Sequence, residues 1–237
     1  MQERVSGDYG PVVREIYEAV MKLDRLINSN PGGTLRTALF FNLLSAFDVF
    51  VGEEIAALFN KKPELFFKLQ GEVKVGDVIR AENLADFKQQ LLSDYIDDLR
   101  RKSYVEQLDN LAKLFDLDTL KQFDAWPYFV EISQRRNLVA HSAGRVSQQY
   151  LRVCKKEKVD IDASLKVGDQ LLVTEEYMKK ACRVVMEVGL KLVQTLWRKI
   201  LPDELKLADT HLNWVAYQAL QLSPTFAIRG VYKPLSQ

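Results

Sequence analysis

Within residues 131–141 the chain gathers two guanidiniums, an amide and one of its only two imidazoles: Arg135, Arg136, Asn137 and His141. Arginine offers a planar fork of donors that fits phosphate oxygens bidentately. Histidine, with a reference pKa of about 6.5, moves a proton near neutral pH. Together they suffice for metal-free cleavage of an RNA phosphodiester. The 2′-hydroxyl attacks, arginine neutralises the phosphorane, and the imidazole transfers the proton. Read as one helix from Trp126 to His141, the stretch sets Asn137 and His141 on one face, one turn apart. Arg136 lies about 140° round from His141 at 100° per residue. The two can meet only around a shared cleft, which two copies of the helix facing each other would provide.

The bland reading of these residues is a helix end with a capping histidine, whose charge suits the free carbonyls of the last turn. A wider set of residues points further. Arg136-Asn137-x-x-x-His141 is preceded by Glu131 and followed by Gly144, Val146 and Tyr150. A long apolar helix ending in Leu58-Phe-Asn-Lys-Lys-Pro-Glu-Leu65 comes before it, and a Gly-Asp turn with a helix start at Thr174-Glu-Glu-Tyr177 comes after. In this the chain resembles the HEPN superfamily, whose motif is Arg-x(4 to 6)-His, often with Asn after the Arg.

The resemblance implies an all-α helical bundle of the HEPN type that works as a homodimer, with Arg and His from both protomers lining one cleft. It implies a metal-independent endoribonuclease of toxin, abortive-infection or other defence systems, with RNA as substrate, no cofactor, and an antitoxin or regulatory protein as a possible partner. Carried over by residue, Arg136 would bind the scissile phosphate, His141 would transfer the proton or position the 2′-hydroxyl, and Asn137 would orient the attacking or leaving oxygen. Arg135 would assist in phosphate binding. Two departures stand out. His141 is followed by Ser-Ala, so the tyrosine modified in one toxin–antitoxin branch is not where that pattern expects it. No ATPase or sensor module is evident either. A competing expectation is a non-catalytic dimeric helical module that binds RNA, nucleotide or a protein partner, since fold does not fix function. Nucleotide phosphoryl transfer is disfavoured by the lack of a Walker-type glycine loop and of paired metal-binding acids.

Composition bounds these readings. A 237-residue chain that is 47% hydrophobic can build one large core, and a single domain over 1–237 is expected, its core about 11–200. The net charge of +1 excludes a global polyelectrolyte. Any RNA surface must be local, and residues 131–160 carry seven basic against three acidic side chains. Arg145 and Tyr150 are its candidate RNA contacts, although Tyr150 is better read as closing or supporting the core, because aromatics mostly supply packing. Cys154 and Cys182 lack the spacing of a disulfide framework or zinc site. With neither an apolar run of bilayer length nor a signal-peptide start, the expectation is a cytoplasmic protein with no membrane partner.

The elements that must position these residues follow from local signals. Asp8-Tyr-Gly-Pro11 opens a helix with Val13, Ile16, Tyr17, Val20 and Leu23 or Leu26 on one stripe. Thr34 should cap a helix from Leu35 to about Asn60, apolar nearly all round, and therefore central or buried in a dimer. The lone carboxylate between Ala38 and Val51, Asp48, must be paired or hydrogen-bonded and is expected to face Arg136 or His141 as a supporting acid. Gly71–Ile79 and Leu165–Val173 alternate like small hairpins around Gly-Asp. Between them Asn83 to Phe115 reads as helix with a break at Arg101 to Ser103. Asp124 should cap the motif helix, Gly144 should end it, and Arg145 to Lys156 should form another. Thr174 caps a long helix to Ile200, and Pro202 starts a last one carrying His211 and Trp214, for which no chemical role is indicated.

Overall fold

The computed structural model describes residues 31–69, 73, 75–117, 121–204, 206 and 210. The expected first helix, His211, Trp214 and the tail lie outside them. Among the described residues the chain is all-α, with no strand. Helix α1 spans Pro31–Lys61 and is followed by a 3₁₀ turn, Pro63–Lys68. The others are α2 (Val75–Arg80), α3 (Leu84–Arg100), α4 (Tyr104–Phe115), α5 (Trp126–Ser142), α6 (Gln148–Lys156) and α7 (Glu175–Ile200), closed by a 3₁₀ turn at Pro202–Glu204.

Most boundaries have a local cause. The Asn83 side chain accepts from the Ala85 and Asp86 amides to start α3. Ser103 and Glu106 form a reciprocal capping box at α4, which supplies the expected break. Thr174 accepts from the Tyr177 amide at 3.1 Å and opens α7. Elsewhere the expectations need correcting. Helix α1 begins at Pro31, with Thr34 inside its first turn; proline at the opening position forfeits no intrahelical hydrogen bond. Helix α5 is preceded by Ala125 with no side-chain cap, so Asp124 does not serve there, and Pro127 lies in its first turn. Helix α6 starts after Ser147, which accepts from the Tyr150 amide; Arg145 and Val146 precede it.

Among the described residues neither Gly-Asp stretch shows a hairpin. Residues 75–80 of the first are helical. The second pairs with the end of α5 instead of with itself, through one antiparallel bridge, Arg145 to Gln170. Val146 N donates to Asp169 O, Gly168 N to Val146 O and Leu171 N to Gly144 O, each at 2.9 Å. Alternating apolar residues are insufficient for a strand pair without a second edge of matching length.

Helix α1 packs chiefly on α7, and α5 sits against α1, α4, α6 and α7. Phe40, Leu44, Phe47, Val51, Ile55 and Leu58 form the buried stripe of α1. Gly189 lets α7 approach it closely, since a Cβ there would stand 3.3 Å from the Phe50 ring. Phe47, Tyr104 and Phe129 join α1, α4 and α5, with ring centroids 5.0–5.8 Å apart, a spacing suited to tilted and edge contacts. Within this chain α1 is buried on one side only, with Leu35, Leu39 and Val49 exposed. Its span Gly32–Lys61 is also long and apolar enough, by length and composition, to cross a bilayer, although its buried stripe packs into this protein's own core.

Candidate functional site

Helix α5 presents two arginines in succession to different surroundings. Arg135 turns toward α6 and α7. Its Nε donates to Glu131 Oε1 at 2.7 Å and its Nη1 to Leu172 O at 3.1 Å. The guanidinium carbon lies 4.0 Å from the centre of the Tyr177 ring, a cation–π contact. Glu131, only 8% exposed, also accepts from Tyr150 Oη at 2.9 Å and from Tyr177 Oη at 2.7 Å. A buried carboxylate thus receives three donors from three helices, the condition under which a buried ion pair is tolerated.

Burial holds both phenols well above their ordinary pKa, reinforced by the Glu131 charge. Burial alone would lower the Arg135 pKa, but the Glu131 charge and the two phenols outweigh it and leave it raised. Nearby, burial and the same carboxylate push the Cys154 thiol up to about 11, which keeps it protonated and inert.

This bears on two of the expected site residues. Tyr150 is 1% exposed with its hydroxyl on Glu131, so its ring cannot stack on a base. Arg135 commits its Nε and Nη1 donors inside the fold. The i,i+4 spacing of Glu131 and Arg135 allowed their pairing to be foreseen. The arrival of two tyrosines from other helices had no local signal.

Arg136 turns toward α1 and α4. It borders a recess of about 60 Å³ shared with Asp48, Arg100, Tyr104, Gln107 and Asn137. Its Nη1 donates to Asn137 Oδ1 at 3.3 Å. Its Nε is buried with no hydrogen-bond partner among the described residues, and so is Asp48 Oδ1. Burial raises the Asp48 pKa, opposed by the polar side chain of Tyr104, the Arg136 charge, the Gln107 amide and the Arg100 charge around it. The Tyr104 hydroxyl donates to Leu44 O at 3.2 Å. Asp48 is therefore near Arg136 and feels its charge, as expected, while Tyr104, Gln107 and Arg100 join the site without any spacing signal in the sequence.

His141 lies in the last turn of α5 and is exposed. It does not border the recess. Within one chain, Arg136 and Asn137 come together with Asp48, and His141 stands apart on the surface. Arg145 is exposed beyond the helix end, with its Nη1 donating to Gly168 O at 3.1 Å.

The recess has room for a few waters and not for a nucleotide, so a substrate would lie across its mouth. A larger cavity, about 650 Å³ between α1 and α3, is lined by Glu53, Asp86 and Asp97 among others and by no motif residue, while Arg100 borders both it and the recess. Among the described residues no three His, Cys, Asp or Glu side chains converge as a metal-ion set. Compared with known proteins, the chain matches no family model, no curated protein and no solved structure.

Proposed function

We propose that the chain is a cytoplasmic, metal-independent endoribonuclease of the HEPN type, acting as a homodimer in a toxin or phage-defence setting. The observation that carries this reading is the contrast in commitment between neighbouring arginines: Arg135 is consumed by the fold, whereas Arg136 keeps a donor unspent beside a polar recess. A buried arginine with an unmatched N–H is costly unless something binds there. Phosphate is the group its geometry suits.

His141 is too far round α5 to serve the recess of its own chain. A second α5 laid across the first would bring the partner's imidazole over Arg136. In that arrangement Arg136 neutralises the charge of the phosphorane, His141 moves the proton of the 2′-hydroxyl or of the leaving oxygen, and Asn137 orients one of those oxygens. Asp48 is a positioning residue that holds Arg136 through its charge, and Arg145 binds the RNA strand beside the site.

The test is purified protein with a mixed RNA pool in EDTA. The expected result is cleavage leaving 2′,3′-cyclic phosphate ends, lost in Arg136→Ala and in His141→Ala while both variants still dimerise. The separation of His141 from the recess favours one competing reading, a non-catalytic helical module that binds RNA, nucleotide or protein. Wild-type protein that binds RNA or a partner but never cuts would establish that reading instead.

A further inference from the structure

The recess beside α5 gathers more positive charge than the motif supplies. Arg100, Lys102 and Arg136 border it, against the single carboxylate of Asp48, which leaves an excess of two positive charges around about 60 Å³. Burial opposes charge on Asp48, and the two guanidiniums favour it. One carboxylate cannot neutralise both. Cations crowded at a partly buried place call for further anions.

Arg100 reaches the recess over a glycine. Gly52 is buried within α1, at a place where glycine weakens a helix. A Cβ there would collide with Arg100 Nη2 and would lie 3.2 Å from Arg100 Cζ and 3.1 Å from Ile96 Cγ2. These nearest atoms all belong to side chains. The missing methyl therefore admits the Arg100 head, and not a closer approach of two backbones. Once seated, that head is loosely engaged. Its ion pair with Asp97 spans 3.5 Å between side chains that are 39% and 54% exposed, beyond the roughly 2.7–2.9 Å of a charge-assisted hydrogen bond, and such surface pairs contribute little. On the other side of Arg100, the cavity between α1 and α3 is rich in carboxylates, from Glu53, Asp86 and Asp97. Arg100 thus stands on the border between a cation-rich recess and a groove that repels phosphate.

We propose that Arg100, seated on Gly52, binds a second phosphate of the RNA strand, the one next to the scissile phosphate held by Arg136. The inference rests on the reading of the recess as a phosphate site and extends it from one phosphate to two. Two phosphodiesters carry two negative charges, which match the excess of the recess. Arginine suits the task, since its planar fork takes two phosphate oxygens at once. Lys102 is tied to Asn110 Oδ1 at 3.2 Å and adds its field. Asp48 serves both guanidiniums by holding two like charges near each other before the strand arrives. The carboxylates beyond Arg100 turn the rest of the strand away, so the footprint on this side stops at one further phosphate.

The test measures binding of a short fluorescent single-stranded RNA between about 50 and 200 mM salt, on the full chain carrying His141→Ala so that no strand is cut. Each phosphate contact contributes about 0.7 to the slope of log affinity against log salt. Adding Arg100→Ala should lower the slope by about 0.7, Arg136→Ala by the same, and both together by about 1.4. Each single change should weaken binding about tenfold, and Arg100→Lys, which keeps the charge, should restore the slope. Gly52→Ala keeps the charge but displaces the guanidinium. It should weaken binding about threefold or more by itself and not at all beside Arg100→Ala, a coupling that a purely structural glycine would not show. Variants are compared at equal helical content by circular dichroism. An unchanged slope in Arg100→Ala, with RNA still bound through Arg136, overturns the second phosphate alone. So does a double variant whose slope matches either single one, because both guanidiniums would then share one phosphate. Equal weakening by Gly52→Ala with and without Arg100 overturns the seat. A chain that neither binds RNA as His141→Ala nor cuts it as wild type removes the reading of the recess and the inference with it.

Discussion

The Glu131 cluster and the Asp48 recess lie on two sides of one helix and use the same kinds of groups to opposite ends. On one side a carboxylate, a guanidinium and two phenols satisfy one another, at 2.7–2.9 Å, across α5, α6 and α7. On the other a carboxylate and a guanidinium sense each other's charge but leave Asp48 Oδ1 and Arg136 Nε unmatched. The difference teaches that adjacency in sequence says little about role. What separates a fastening from a reactive site is whether the donors and acceptors are already spent.

Five substitutions would break or sharpen that contrast. Glu131→Ala removes the common acceptor of three donors and strands the Arg135 charge, so urea denaturation should show a loss of about 3–5 kcal/mol. A loss under about 1 kcal/mol would mean that the cluster is not a fastening. Next, Arg135→Ala should cost about 2–3 kcal/mol yet leave RNA cleavage per folded molecule within about threefold. Arg136→Ala should change stability by less than about 1 kcal/mol while cleavage falls about a hundredfold or more. If the two variants exchanged these phenotypes, the division of labour would be reversed.

Tyr177→Phe deletes one hydroxyl donor and should cost about 1–2 kcal/mol by the same denaturation assay, with cleavage unchanged. The smallest effect concerns Asp48. Its folded pKa lies above its ordinary 3.8, so between those two values the native state holds more protons than the unfolded state. Stability from this group therefore falls as pH rises through that window and stays lower above it. Asp48→Asn should flatten that slope and raise the melting temperature by about 1–2 °C at pH 7. A clear drop instead would show that the charge Asp48 gives Arg136 outweighs the cost of burying it.

Sequence made the helical body legible wherever the cause was local. The Ser103–Glu106 box and the Thr174 cap sit within one turn of the boundaries they set. The spacing of Asn137 and His141 placed both on one helix for the same reason. It could not place Arg136 and His141 relative to a recess, because Tyr104, Gln107 and Arg100 come to that recess through packing of α3 and α4. Tyr150 offered two readings, base contact or core, and the fold places it in the core with its phenol on Glu131. Leu165–Val173 was misleading because its alternation was real and its partner was a single residue of the α5 exit.

That exit fixes more than the path of the chain. Ala143 and Gly144 both take left-handed backbone angles, φ 49° and 77°, and a Cβ on Gly144 would collide with Leu171 O at 2.7 Å. The Gln170 side chain donates to Ala143 O at 2.7 Å from the same loop. The last turn of α5 is thus clamped like a beam set in a wall, and the wall is built from residues some thirty positions downstream. A surface loop holds the embedded end of the lever on which His141 rides, so damage there would be read out at the imidazole.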